Sequence, residues 1–266
     1  MVIFKNRLPM QYEKLSFRKK TGGCLALVLF CVASHPSKGS AQLGSAVRQV
    51  LVSQAAHWKS QTATLQCYQR LSARSPWQPA FARPIPVLLG KKGLAWGQGD
   101  FHTPASGIPA KVEKDLKSPA GIFSLGSLFG YAATPPSGVH WPYIQVGAWD
   151  AYVDDSSLPF YNQHVRIDPR QGIPPWFEKQ RMRLGDAAYR WMLEIRHNQH
   201  PPLPGYGSAI FFHVRRGPDK PTAGCTTLAE ADLVRLLRWL DPKAAPHYVL
   251  LPKDEYSALR GIWDLP

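Results

Sequence analysis

The chain is 266 residues long, 44% hydrophobic and 11% aromatic, with 32 Lys and Arg against 18 Asp and Glu for a net charge of +14. A chain of this length and apolar content buries a sizeable core without disulfides or metal, and it carries no internal repeat, which excludes disordered, solenoid and disulfide-framework classes. The positive charge suits an anionic polymer, a lipid surface or nucleic acid, but it is scattered and comes with no nucleic-acid-binding motif, so no nucleic-acid partner is expected.

Residues 1–41 read as a targeting segment. Lys5, Arg7, Lys14, Arg18, Lys19 and Lys20 precede an apolar run from Cys24 to Ser34, and the small residues Gly39-Ser40-Ala41 follow. Charge, apolar run and small residues in that order make a secretory signal with cleavage after Ala41. An uncleaved anchor is the alternative, although the run falls short of the about 20 apolar residues that a membrane span needs. Phe30 is too bulky for the position before a lipoprotein cysteine at Cys31. Cleavage leaves a charge of +8 and two cysteines, Cys67 and Cys225. Export to the periplasm or cell envelope then makes the wall polymer the expected anionic partner, with membrane contact only through the segment itself if it is retained.

The next stretch alternates and turns. Gln49 to Ser53, Thr62 to Leu71 and Ile85 to Leu89 read as strands, with Ser75-Pro76 and Gly90 to Gly93 as punctuation, which predicts an antiparallel meander. Cys67 lies in one of these strands as a half-buried residue. Trp96-Gly97-Gln98-Gly99 and the segment to Pro109 read as a loop. Leu125 to Gln180 is loop-rich and aromatic, and its Asp154-Asp155 pair, flanked by Ser and Pro, reads as turn-forming. Tyr189 to Arg196 predicts a strand with one buried face. His197 and His200 flank a proline loop without the spacing of a zinc site, so no metal is expected. Asn198 is placed to orient a substrate amide or to cap its loop.

Ile210-Phe211-Phe212-His213-Val214 is an apolar strand that ends in a histidine. A short loop leads to Thr222-Ala223-Gly224-Cys225-Thr226-Thr227, and then Leu233, Leu236, Leu237 and Leu240 form one stripe at helical spacing. Thr227 with Glu230 three residues on reads as a capping box, which starts a helix at Leu228. Cys225 would then sit within two residues of a helix N-terminus, where the dipole lowers a thiol pKa. A thiol nucleophile and a histidine base are the two roles this arrangement fills. The N–H groups at Gly224 and Cys225 are the expected oxyanion donors, with Thr222, Ala223 and Thr226 as flanking substrate-binding positions. No Gly-x-Ser-x-Gly, phosphate loop or Cys-x-x-Cys competes.

The stretch from Ile210 to Leu228 resembles the catalytic core of the L,D-transpeptidases, the YkuD-like enzymes that cross-link peptidoglycan through a cysteine. Ser118-Pro119-Ala120-Gly121-Ile122-Phe123 is similar to the turn that this family carries upstream. The resemblance covers residues 46–252, leaving 253–266 as a tail. It implies a mostly β fold with a few helices, two packed or barrel-like sheets, and no cofactor. It also implies Cys225 as nucleophile and His213 as base, acting on the third residue of a peptidoglycan stem tetrapeptide with D-alanine leaving. Capture of the thioester by an amine gives a cross-link and capture by water a carboxypeptidase; a wall-binding protein without activity is a further reading. Ser118, Gly121, Tyr161 and Asn162 are implied as substrate-groove residues. Ala223 stands where many members have a second histidine, so its side chain is expected to face the acyl pocket.

Overall fold

The structure, a computed structural model, describes residues 42–101, 107–183 and 185–266, all within one compact unit, Ser40–Pro266. The targeting segment lies outside the described residues. Thirteen strands follow in order: β1 Gln49–Ala55, β2 Thr62–Gln69, β3 Gln78–Pro79, β4 Ile85–Leu88, β5 Leu94–Trp96, β6 Ser118–Gly130, β7 Tyr143–Gln145, β8 Asp150–Tyr152, β9 His164–Arg166, β10 Trp191–Ile195, β11 Phe211–Val214, β12 Thr226–Leu228 and β13 His247–Pro252. The helices are α1 Phe177–Gln180, α2 Glu230–Trp239 and α3 Lys253–Leu259.

Eight strands close on themselves in the order β1-β13-β6-β10-β11-β12-β4-β2, with β2 returning to β1. A mostly β fold with a closed, barrel-like sheet is therefore what the chain adopts. The meander expected of the N-terminal third is present, since β1, β2 and β4 pair antiparallel, but β5 instead runs parallel to β6. Closure comes from β13, which inserts parallel to β1 and antiparallel to β6, a pairing that links the two ends of the domain.

Alternation sorts the side chains. In β2 Ala63, Leu65 and Cys67 point into the principal core while Thr62 and Thr64 face solvent. Cys67 is fully buried there rather than half-buried, and burial pushes its thiol up and out of reactive range. In β11 Phe212 enters the same core and meets Tyr248 at 4.5 Å between ring centroids, so Phe211 and His213 must face outward. That outer face is also covered. Phe211 belongs to a second core with Phe129, Val146, Tyr152, Met182 and Met192, built from the aromatic middle of the chain. This second layer explains why β10 is buried nearly throughout instead of along one face as its alternation suggested.

Two local expectations are corrected. Ser118 to Phe123 is no turn but the start of the long strand β6, because its backbone is claimed by β5 on one side and β13 on the other. The helix after Cys225 begins at Glu230 with Ala229 as its cap, since Thr226 to Leu228 are taken up as β12 beside β11 and β4. Thr227 caps nothing; its hydroxyl is buried with no hydrogen-bond partner among the described residues. Residues 253–266 form α3 and a closing turn, with Trp263 and Leu265 buried in the principal core and the Trp263 carbonyl accepting the Leu43 N–H.

Candidate active site

Cys225 immediately precedes β12, and the parallel register of Phe212 with Thr226 sets it beside Phe211 on the outer face. Its backbone is pinned. The Thr222 hydroxyl donates to the Cys225 carbonyl at 2.6 Å and accepts the Gly224 N–H at 3.0 Å, while the Ser118 hydroxyl reaches the same carbonyl at 3.5 Å. Ser118 in turn accepts the Gly90 N–H, so the loop after β4, the start of β6 and the cysteine turn form one knot. Gly224 is required here: with φ of 158°, it packs so closely that an added Cβ would lie 3.0 Å from the Lys117 carbonyl.

Cys225 is partly buried and lines a cavity of about 200 Å³. Tyr152, Tyr189, Met192, Ala209 and Phe211 give it an apolar floor, and Asp154, Lys179, Gln180 and Arg181 a charged rim. Pockets that enclose a whole ligand run to about 300–1,000 Å³, so this one suits a single segment of an extended substrate. The Cys225 Sγ donates to the Ala209 carbonyl at 3.6 Å. Ala209 is a non-glycine residue at φ 53°, held there by its N–H bond to the Asn162 side chain at 3.0 Å.

His213 lies two residues beyond Phe211 on the same face, about 6–7 Å along the strand at a rise of roughly 3.3 Å per residue. Its Nδ1 pairs with the Val214 carbonyl at 2.9 Å, and the ring also meets the Ala188 backbone, both contacts favouring the charged form. Tyr189 covers the ring at 5.0 Å between centroids. Burial lowers the imidazole to about 4, so it is neutral and able to accept a proton at neutral pH.

The expectation of a depressed thiol pKa is corrected. Burial pushes the Cys225 thiol up, against opposing effects of a hydrogen bond from the Phe211 backbone and of the positive charges on Lys111 and Arg216. The helix dipole does not act, because α2 starts five residues later and not two. The resting site therefore pairs a protonated thiol with a neutral imidazole.

Other expected site residues are placed differently from their anticipated roles. The Gly224 N–H is already spent on Thr222, so it is not an oxyanion donor. Thr226 points into the barrel, where its hydroxyl meets Tyr248 at 3.0 Å. Ala223 is exposed and lies outside the cavity lining. Gly121 is buried in β6, paired with Leu250. Tyr161 is buried with its hydroxyl on Glu113, which also takes the Ser208 hydroxyl. Asn162 binds the His197 and Asn198 carbonyls as well as Ala209, and Asn198 ties its own loop at Leu203 and Gly207. These are buried knots that shape the site from behind, not a substrate groove. His197 is likewise consumed: it accepts the Gln98 N–H at 3.2 Å and donates to the Tyr206 carbonyl at 2.9 Å. Asp155 accepts the N–H and hydroxyl of Ser157, a turn contact, while Asp154 sits on the cavity rim.

Three contributors carried no local signal. Lys111 is a buried lysine beside Gly224, Ala209 supplies the carbonyl that holds the thiol, and Asp150 organises the rim. Each is defined by what surrounds it and not by its neighbours in sequence. Among the described residues no cluster of three His, Cys, Asp or Glu is placed to hold a metal, and no helix is long and apolar enough to cross a membrane.

A closed mixed barrel that carries a strand-end histidine and a pinned cysteine on one outer face defines the class. Residues 78–249 match the family model of the L,D-transpeptidase catalytic domain, YkuD. The chain belongs to this family, whose activity is on peptidoglycan. No curated protein and no solved structure matches it.

Proposed function

We propose that the protein is an exported L,D-transpeptidase that forms a thioester on Cys225 with the third residue of a peptidoglycan stem and passes the acyl group to an amine of a neighbouring stem. The observation that carries this is the placement of Cys225: its carbonyl is fixed by Thr222 and Ser118 while the residue lines a cavity with an apolar floor and a polar rim. A structural cysteine is enclosed like Cys67; this one is held still at a cavity wall.

The neutral His213 takes the thiol proton as Sγ attacks the acyl carbonyl. The oxyanion falls to the Cys225 N–H, since the Gly224 N–H is occupied. As the tetrahedral centre collapses, the C–N bond to D-alanine breaks and His213 returns the proton to the leaving amine. The thioester then meets a second amine, giving the cross-link, or water, giving a shortened stem. The apolar floor favours the former by limiting water around the thioester.

Incubation with disaccharide tetrapeptides and analysis of the muropeptides tests this reading. Dimers with a new cross-link, together with an acyl-enzyme mass on Cys225, are expected from the wild type, and neither from Cys225→Ala. Shortened monomers alone would assign a carboxypeptidase. Binding to sacculi without any product would assign a wall-binding protein.

A further inference from the structure

Lys111 is a buried charge near the cysteine turn that the mechanism above leaves unused. Its side chain is 3% exposed and its backbone N–H is anchored on the Trp96 carbonyl at 2.6 Å. The stem of the side chain runs between two glycines: a Cβ on Gly207 would lie 2.9 Å from its Cε, and one on Gly224 3.6 Å from its Nζ. The ammonium therefore lies behind the Gly224-Cys225 peptide, and Asp115 pairs with it at 2.7 Å. Asp115 is held in turn by the Val112 and Lys117 N–H groups. Burying an ammonium carries a desolvation cost that its pairing with Asp115 must offset.

Several charged groups face the thiol. Asp154, Lys179 and Arg181 stand on the solvent rim. Arg216 approaches from the end of β11, but it is 47% exposed and paired with Asp186 at 2.5 Å, so solvent and a counter-charge screen it. His213 is neutral, and burial holds the Tyr152 phenol in its protonated form. Lys111 is a buried cation close to Gly224, donating to the partly buried Asp115 carboxylate at 2.7 Å and to the Val112 carbonyl at 3.5 Å.

We propose that Lys111 is a positioning residue for the nucleophile: its ammonium, buried behind the Gly224-Cys225 peptide, stabilises the Cys225 thiolate as the proton leaves, and Asp115 sets how much of that charge the thiolate feels. The inference rests on Cys225 as nucleophile, yet its test needs no peptidoglycan. The full chain is alkylated with iodoacetamide across a pH series and the product is read at the Cys225 peptide by mass spectrometry, so the other three cysteines do not interfere.

Lys111→Met should raise the pH at half-maximal rate by about one unit, slowing alkylation roughly tenfold below that pH. Lys111→Arg should stay near the wild type. Asp115→Asn, which keeps its shape and frees the ammonium, should move the midpoint down. Shifts of opposite sign are what a field predicts; a structural role would move both variants the same way or neither. Unchanged midpoints, or shifts of one sign, overturn the proposal. If Lys111→Met does not fold, Asp115→Asn decides alone: a lower midpoint supports the proposal and an unchanged or higher one overturns it. Loss of cross-linking with the expected shifts intact would indict the functional reading and leave this one standing.

Discussion

At the scale of single residues, Cys225 is fixed by its backbone while it lines the cavity. Thr222 is the residue that does the fixing, through one hydroxyl that serves as donor and acceptor at once. Thr222→Val keeps the shape and removes both bonds, so acylation should fall by about five- to tenfold, on the scale of about 1–1.5 kcal/mol for a lost hydrogen bond, with the far-ultraviolet spectrum unchanged. A variant that acylates normally would show that the turn holds itself. His213→Ala should lower the rate of thioester formation by about 10²–10⁴, as removal of a general base does; stopped-flow acylation by a carbapenem measures it. Ala223 is a contrasting case. Its side chain is exposed and clear of the cavity, so Ala223→His should leave the ratio of cross-linked to hydrolysed products as it is, whereas a pocket-facing position would shift that ratio.

At the scale of elements, the cavity rim depends on the β8–β9 hairpin and the way Asp150 ties it. The Asp150 carboxylate accepts Nε and Nη2 of Arg166, both at 2.9 Å, Nε2 of His164 at 2.7 Å and the Gly147 N–H at 2.6 Å. Burial alone would raise this carboxyl, but the bonds from Arg166, Gly147 and His164 outweigh it and hold the group below the usual carboxylate range. The Asp150 carbonyl also accepts the Met182 N–H, and Ala151 bridges to Arg181, so the hairpin carries part of the cavity wall. Asp150→Ala should cost about 1–3 kcal/mol by stranding the Gly147 N–H and the His164 and Arg166 donors. A thermal melt would show this as a lower midpoint, and KM for the acyl donor should rise more than kcat falls. An unshifted melt would mean that the hairpin is held by its aromatic contacts instead.

At the scale of the whole molecule, stability should depend on two buried histidines. His213 is lowered to about 4 and His197 to about 3 from an ordinary 6.5, in both cases mainly because burial disfavours the charged ring. As the pH falls below 6.5 the unfolded chain takes up protons that the folded chain refuses, so each group contributes stability above that pH and loses it toward its folded value. Chemical denaturation at pH 7 and pH 5 should therefore show the acid sample as less stable, with a slope of at most about 1.4 kcal/mol per pH unit for each histidine. His197→Gln, which keeps two polar ends for the Gln98 and Tyr206 contacts, should flatten that slope; an equally steep one would place the effect elsewhere.

Much of this was legible in the residues. The alternation of β2 and β11, the leucine stripe of α2 and the strand-end histidine ahead of a Gly-Cys turn are patterns over short spans, and short spans follow the strand and helix periods directly. What the amino-acid order determined was therefore which side chains face together and which chemistry the chain carries. The tertiary structure decided the rest. Leu228, expected to start the helix, and Thr227, expected to cap it, became strand with Thr226 because β4 and β11 offered their edges, and local capping is weaker than a place in a closed sheet. The thiol went up and not down because a second core covers the outer face, and desolvation exceeds the local effects that oppose it. Lys111 looks like an ordinary surface charge in sequence; the close approach of Gly207 and Gly224 is part of what buries it. Burial and electrostatic environment are properties of contacts between distant segments, so they take their values only when the barrel closes.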